Sequence, residues 1–189
     1  QTAPSAIVVS IAVAGESVII PVSQNQARSW KLSDDLRKNG GGALSDVIKI
    51  VGHFIETGPV VQVRQRGSLP QVYSDNDKEV VIDKPLIVLV NEFSASASEI
   101  VAAALQDYNR AVIIGTESTH GKGSVQRIYD MDRVVPGYDD IKPLGNIKVT
   151  MQKYYRINGG SVQLRGVTPD IILPDNYQEI DLGEAQEDF

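Results

Sequence analysis

The segment PLIVLVNEFSASASEIVAAALQDYNRAVIIG, residues 85–115, limits the possible folds more than any other part of the chain. It begins with a continuous apolar run over residues 85–90, which is typical of a strand buried on both faces of a sheet. From Ser96 the apolar spacing becomes helical, and Asn109 is suited to end that helix in a left-handed conformation. Residues 111–114 form a second apolar run, which ends at Gly115. The order strand, turn, helix, strand predicts a βαβ crossover, and therefore an α/β fold with a mostly parallel sheet.

Weaker patterns on both sides of this segment predict further elements. Helical spacing of apolar residues predicts an amphipathic helix over residues 44–55. Runs rich in β-branched and aromatic residues predict strands over residues 6–14, 17–22, 60–64, 147–156 and 162–164. The turn Asn158-Gly159-Gly160 lies between the last two and predicts a C-terminal β-hairpin. Polar or proline- and glycine-rich composition indicates loops over residues 68–78 and 134–140.

Charge and composition exclude several classes of protein. The chain has 18 basic and 24 acidic residues in 189, and six of the acids lie after residue 174 with no base among them. The rest of the chain therefore carries equal numbers of each sign and has no basic stripe, so we do not expect nucleic-acid binding. The acidic segment is expected to be a solvated terminus. No apolar run reaches the roughly 18 residues of a membrane helix, and residues 1–14 lack the basic start of a secretory signal.

Metal, thiol and nucleotide chemistry are also not expected. The chain has no cysteine, and its two histidines, His53 and His120, do not form the helical pair of a zinc site. The sequence Gly121-Lys122 follows a predicted strand, as a phosphate-binding loop would. However, Gly115 lies six residues before Gly121 instead of five, and Gly123 stands where that loop requires Ser or Thr.

Two interpretations remain open for the serines that precede the central helix. Ser96 and Glu99 have the S-x-x-E spacing of a capping box, which satisfies amides at a helix start. A serine between a buried parallel strand and a helix N-terminus also lies where α/β enzymes bind ligands. The amide of Ala97 would have no partner within the helix, so it could form half of an oxyanion hole.

A nucleophilic serine requires a base, and the sequence offers Lys122 as a candidate. A lysine acts as a base near neutral pH only where burial lowers its pKa, and the glycines on both sides of Lys122 would allow a tight turn into an apolar cleft. Gln126, four residues later, could hold the amine by a hydrogen bond. The alternative is an exposed lysine in a glycine turn. A lysine base predicts activity that rises with pH, whereas a flat profile between about pH 6 and 9 would contradict it.

The run Gly40-Gly41-Gly42 also allows two interpretations. It can be a sharp turn that leads into the helix from residue 44. Bare glycine amides near a helix start can also bind a developing negative charge.

Taken together, the motifs resemble the C-terminal processing peptidases, and in particular their tail-specific protease branch. The resemblance extends over residues 35–174 and rests on four segments in the family order. They are DLRKNGGGALSDVIKIVGHFIETGPVVQVR, the segment 85–115 quoted above, GKGSVQ and YYRINGGSVQLRGVTPDIILP. It implies a serine endopeptidase with a crotonase-like (ClpP/crotonase-type) α/β core, which cuts unfolded or tagged proteins that have nonpolar C-termini.

The resemblance also assigns roles to individual residues. Ser96 would be the nucleophile, Lys122 the general base and Gln126 its support. The oxyanion hole would combine the amide of Ala97 with that of Gly42, in preference to Gly41. The reaction would pass through an acyl-enzyme, and no metal or cofactor is implied.

The same resemblance suggests where the protein works and what the chain comprises. Members of the family mostly act in the bacterial periplasm or cell envelope, and most have a PDZ domain that binds substrate peptides. We expect residues 1–30 to be a β segment without assignment, residues 31–175 to be the catalytic core and residues 176–189 to be the acidic tail. Because no PDZ domain is recognised, the chain is expected to be an excised core.

This chain departs from the family pattern in two further places. Residues 29–34 are polar where the family has an apolar strand. The segment before GKG is one residue longer than usual, with His120 in place of an aromatic residue.

A second function remains compatible with the sequence. The same cleft could belong to a non-catalytic or latent peptide-binding module, which adds a peptide as an extra strand without cutting it. Such a module would not need the Ser-Lys pair.

Overall fold

A computed structural model describes residues 7–9, 32–174 and 184. The elements of this part of the chain are the strands β1 (Ile7–Val9), β2 (Leu32–Asp35), β3 (Gly58–Gln65), β4 (Gln71–Asp75), β5 (Leu86–Val90), β6 (Ala111–Gly115), β7 (Ser124–Asp130), β8 (Asn146–Tyr155) and β9 (Ile171–Ile172). The helices are α1 (Leu44–Gly52), α2 (Ala97–Asp107) and α3 (Met131–Val134). The predicted strand over 17–22 and the acidic tail apart from Glu184 lie outside the described residues. None of the described helices is long and apolar enough to cross a membrane.

A five-stranded sheet forms the centre of the fold, with the strand order β1-β2-β5-β6-β9. All four pairs of neighbouring strands are parallel. The crossover from β5 through α2 to β6 confirms the βαβ unit that the sequence predicts. Asn109 has a φ of 52°, which confirms the left-handed end of this helical segment.

The last three residues of the polar segment 29–34 belong to β2. This strand pairs with β1 on one side and with β5 on the other. Backbone hydrogen bonds to two neighbours stabilise a strand whatever the polarity of its side chains, which explains a strand at a polar segment.

The second sheet is antiparallel and has the order β4-β3-β8-β7. It shows that the expectation of one mostly parallel sheet describes only part of the fold. The predicted loop over 68–78 contains β4, and the predicted loop over 134–140 overlaps the end of α3 and a 3₁₀ turn at Asp139–Ile141.

The predicted C-terminal hairpin is also wrong in its returning strand. An isolated antiparallel bridge between Tyr155 and Ser161 spans the turn, in place of a returning strand. The amides of Arg165 and Gly166 both donate to the carbonyl of Val162, and Leu164 has a φ of 60°. This tight turn takes residues 162–164 away from β8, which pairs with β3 and β7 instead.

The hydrophobic core lies where α1 and α2 pack with the two sheets. Helix α1 ends at Gly52, three residues before the predicted end, although Phe54 and Ile55 remain buried. Helix α2 is buried from Ala97 to Leu105, because it packs against α1, β3 and β6. The burial of α2 therefore fixes the position of its N-terminus, where Ser96 lies.

Candidate active site

Three loops meet at the carboxyl edge of the parallel sheet. They follow β2, β5 and β6, and they contain the triple glycine, the serine-rich turn and the Gly-Lys-Gly sequence respectively. The carboxyl edge of a parallel sheet is where α/β proteins bind ligands. The fold therefore brings the three candidate motifs to one place.

Ser96 lies at the turn between β5 and α2 in an unusual backbone conformation. It is the N-cap of α2, with φ 57° and ψ −111°. Few residues other than glycine adopt a positive φ, and such conformations persist where surrounding contacts impose them. Ser96 is half-buried at this edge.

Glu99 supplies the contacts that hold this turn. Its side chain is completely buried, and its Oε2 accepts a hydrogen bond from the Ser96 amide at 2.8 Å, as the S-x-x-E spacing predicts. The same oxygen accepts from the Lys122 amide at 3.0 Å. Its Oε1 accepts from the Thr119 hydroxyl and from the Gly121 amide, both at 2.7 Å. One carboxylate therefore joins the serine turn to the loop after β6.

The electrostatics of Glu99 combine two opposing effects. Burial raises the pKa of this carboxyl above its ordinary value, because the charged form loses its hydration. The hydrogen bonds from Thr119, Gly121, Ser96 and Lys122 oppose that rise, since they favour the carboxylate.

Lys122 lies on the loop between β6 and β7, and it is half-buried. Gly121 has a φ of 86°, and a Cβ at Gly123 would lie 2.6 Å from the Cβ of Gln163. Gly121 is therefore favoured by its left-handed backbone, and Gly123 by the lack of space for a side chain. Gln126, by contrast, is exposed on β7, and within the described part of the chain its side chain makes no hydrogen bond. Its predicted support of Lys122 stays a prediction.

The triple-glycine loop packs directly against the serine turn. A Cβ at Gly41 would lie 2.7 Å from the Ala97 nitrogen and from the Ala95 oxygen. The Gly41 amide already donates to Asn39 Oδ1 at 2.9 Å. Gly42 is exposed, and no acceptor among the described residues engages its amide. The two amides therefore differ in their hydrogen bonding, and the choice of Gly42 over Gly41 as the partner of Ala97 in an oxyanion hole stays a prediction.

Sequence reasoning missed the residues that fasten these two loops together. The Asn39 carbonyl accepts from the Ala95 amide at 2.9 Å and from the Ser98 hydroxyl at 3.0 Å. Buried Ser94 donates to the Leu36 carbonyl at 2.8 Å, and Asn91 Oδ1 accepts from the Lys38 amide at 2.9 Å. Asn39 and Asn91 flank the motifs, but no spacing rule predicts that they form hydrogen bonds between the two loops.

Comparison with known proteins places the chain in a family. The model of peptidase family S41 matches residues 34–173, a range that includes all three loops. The chain belongs to peptidase family S41. The resemblance to C-terminal processing peptidases is thereby confirmed.

Individual members of family S41 are similar over most of this chain. This chain is 47% identical over 160 residues to the tail-specific protease of Haemophilus influenzae. The match covers 82% of this chain and 22% of that relative. It is 41% identical over 159 residues to the carboxy-terminal-processing protease of Bartonella bacilliformis, covering 80% of this chain and 34% of the relative. The chain therefore spans between a fifth and about a third of these relatives' length.

A solved structure of the family agrees with the fold. The photosystem II D1 C-terminal processing protease superposes with a TM-score of 0.63 at 31% identity, over 76% of this chain and 34% of that one. Mature CPAF complexed with lactacystin has the same TM-score at 17% identity, covering 76% of this chain and 39% of that one, a likeness in fold.

Proposed function

We propose that this chain is the catalytic core of a tail-specific serine endopeptidase that acts through a Ser96–Lys122 dyad. The main support is the position of Glu99, whose one oxygen accepts from the amides of both residues. Two residues that are distant in sequence are thereby held in adjacent loops at the carboxyl edge of the sheet. Membership of family S41 agrees with this assignment.

The proposed reaction follows from the chemistry of these groups. Ser96 Oγ attacks the scissile carbonyl while the neutral amine of Lys122 takes its proton. The amides of Ala97 and Gly42 are proposed to stabilise the tetrahedral oxyanion, because Ala97 begins α2 and Gly42 lies just before α1 in the loop that packs against the serine turn. The lysine ammonium then protonates the leaving amine, and water hydrolyses the acyl-enzyme with Lys122 again as base. Gln126 is proposed to orient Lys122 once substrate is bound.

The substrate class and context are inferred from the relatives. We infer unfolded or tagged proteins with nonpolar C-termini as substrates, since relatives are named for tail-specific and carboxy-terminal processing. We also infer a crotonase-like core, a PDZ domain in the complete protein, and the periplasm or cell envelope of a bacterium as its location.

The experiment that tests this function compares Ser96→Ala with the unchanged chain. The substrate is an unfolded protein with nonpolar C-terminal residues, and a matched substrate ends in charged residues. Ser45→Ala serves as the control variant, because Ser45 is an exposed residue of α1 to which no role in the reaction is assigned. We expect cleavage of the nonpolar substrate by the unchanged chain and by Ser45→Ala, and none by Ser96→Ala with an intact circular dichroism spectrum.

Other outcomes would contradict the proposal in different ways. Equal cleavage by Ser96→Ala would exclude Ser96 as the nucleophile. Binding of the nonpolar peptide without cleavage by any form would favour the peptide-binding module.

A further inference from the structure

The hydroxyl of Tyr154 lies against both loops of the proposed dyad. Tyr154 is on β8, opposite Val63 of β3, and is only 2% exposed. Its hydroxyl donates to the Lys122 carbonyl and lies 3.3 Å from the Ser96 carbonyl. It also lies 3.3 Å from Glu99 Oε2. One side chain from the antiparallel sheet thus reaches backbone atoms on both sides of the proposed catalytic pair.

Glu99 and Tyr154 have complementary contacts with the same two residues. Glu99 accepts from the amides of Ser96 and Lys122, whereas Tyr154 faces their carbonyls. We propose that Tyr154 is a positioning residue, whose hydroxyl fixes the Lys122 peptide relative to the Ser96 turn. This inference rests on the proposed peptidase function.

The Lys122 carbonyl depends on this contact more than the Ser96 carbonyl does. The Ser96 carbonyl also accepts from the Ile100 amide at 3.1 Å. Within the described part of the chain, the Tyr154 hydroxyl is the partner of the Lys122 carbonyl. Removing the hydroxyl leaves that carbonyl without a donor, so the Lys122 peptide can rotate and carry its side chain away from Ser96.

The environment also keeps the phenol protonated. Burial is the main cause that raises the pKa of Tyr154 above its ordinary value, and the charge of Glu99 adds to it. A phenolate would face three oxygen acceptors. The hydroxyl therefore acts as a hydrogen-bond donor and takes no part in proton transfer.

The backbone of Tyr154 reinforces the same connection. Its amide donates to the Gly123 carbonyl at 2.9 Å. Tyr154 thereby contacts two consecutive residues of the lysine loop, through its amide and its hydroxyl. This second contact survives a change of side chain, so the loop is expected to stay attached to β8 when the hydroxyl is removed.

The test uses Tyr154→Phe, which removes the hydroxyl and keeps the ring. Tyr155→Phe is the matched control, because Tyr155 is the next residue of β8 and points to the other face of the sheet. Active sites are counted with a serine-directed fluorophosphonate, and kcat and KM are measured per counted site on an unfolded protein with a nonpolar C-terminus. Ser96→Ala and the unchanged chain are measured in parallel.

We expect Tyr154→Phe to lower kcat per counted site about tenfold, with KM unchanged. The pH profile should keep its shape, because the phenol does not titrate in the reaction. Tyr155→Phe should match the unchanged chain. Replacement of Tyr154 by 3-fluorotyrosine, which keeps a hydroxyl, should restore kcat.

Four outcomes would overturn the inference. An unchanged kcat per counted site, with fewer sites or a lower melting temperature, would show a structural role alone. Loss of kcat in the 3-fluorotyrosine protein would show that ring packing matters and not the hydroxyl. An equal loss in Tyr155→Phe would show a general effect on β8. Cleavage that is absent from the unchanged chain, or that persists in Ser96→Ala, would overturn the proposed function, and this inference with it.

Discussion

Gly40 and Gly41 are adjacent and chemically identical, but their surroundings differ completely. Gly41 has a φ of 98°, and its space is filled by the serine turn. Gly40 has no atom within 4 Å of a built Cβ. The triple-glycine motif therefore contains one position that requires glycine for two reasons and one that tolerates a side chain.

We expect Gly41→Ala to lower kcat/KM at least about 100-fold, whereas Gly40→Ala should have little effect. A methyl group at Gly41 would collide with the Ala97 nitrogen and would force the loop away from the proposed oxyanion hole. The measurement is steady-state cleavage, with circular dichroism to verify folding. Equal activity of the two variants would mean that this loop does not shape the reaction.

The sequence allowed part of the site to be predicted at the level of single residues. The contact between Glu99 and the Ser96 amide could be predicted, because the S-x-x-E spacing has a known physical meaning. Tyr154 could not be found in this way, because its contact with the lysine loop depends on how β8 crosses the molecule. Contacts between distant segments leave no local pattern in the sequence.

At the scale of the helices and strands, the Arg110 side chain forms several contacts at the junction between α2 and β6. The Arg110 guanidinium donates to the carbonyls of Phe54 at 2.8 Å, Lys84 at 2.9 Å and Ile82 at 2.5 Å. It also lies over the Phe54 ring, 5.8 Å from its centroid. Arg110 thereby joins the end of the α1 region and the segment before β5 to the start of β6.

We expect Arg110→Lys to lower the free energy of unfolding by about 2 kcal/mol, because an ammonium cannot reach three carbonyls in the plane of a guanidinium. Urea denaturation measures this loss. Arg66→Lys, at an exposed turn, should change it little. A similar loss in both variants would mean that arginine-to-lysine changes act here without regard to these carbonyls.

The elements themselves were predictable where burial is uniform. The segment 85–115 was correctly assigned because buried parallel strands and a buried helix leave strong apolar patterns. Strand β2 and the turn at 162–164 were missed, since pairing with neighbours and the positive φ of Leu164 decide their conformation. The family resemblance did not depend on the conformation of these two elements, because it rests on four motifs in the family order.

For the molecule as a whole, Glu99 links the chemistry of the site to global stability. Its carboxyl is fully buried in the folded chain and hydrated in the unfolded one. Because burial raises its pKa in the folded state, the folded state binds this proton more tightly than the unfolded state does. Ionisation of Glu99 therefore costs the folded state more than the unfolded state.

We expect the unchanged chain to lose stability relative to Glu99→Gln as the pH rises from 4.5, the ordinary value for this carboxyl, through its raised pKa. Below that window both states hold the proton, and the difference should be constant. Free energies of unfolding from urea titrations across this range give the difference at each pH. A difference that stays constant, or that changes in favour of the unchanged chain as pH rises, would contradict a raised pKa.

The loop that presents Lys122 is held by hydrogen bonds from residues that follow it in the sequence. Thr119 exchanges hydrogen bonds with Val167, 48 residues later, and Leu164 donates to the Gly121 carbonyl. During synthesis these later residues leave the ribosome well after Ser96 and Lys122 have emerged. The nascent chain therefore contains both residues of the proposed dyad before it contains the segment that holds the lysine loop. In the proposed peptidase, the dyad therefore stays unaligned, and the chain inert toward its neighbours on the polysome, until residues 164–167 have emerged and packed against this loop.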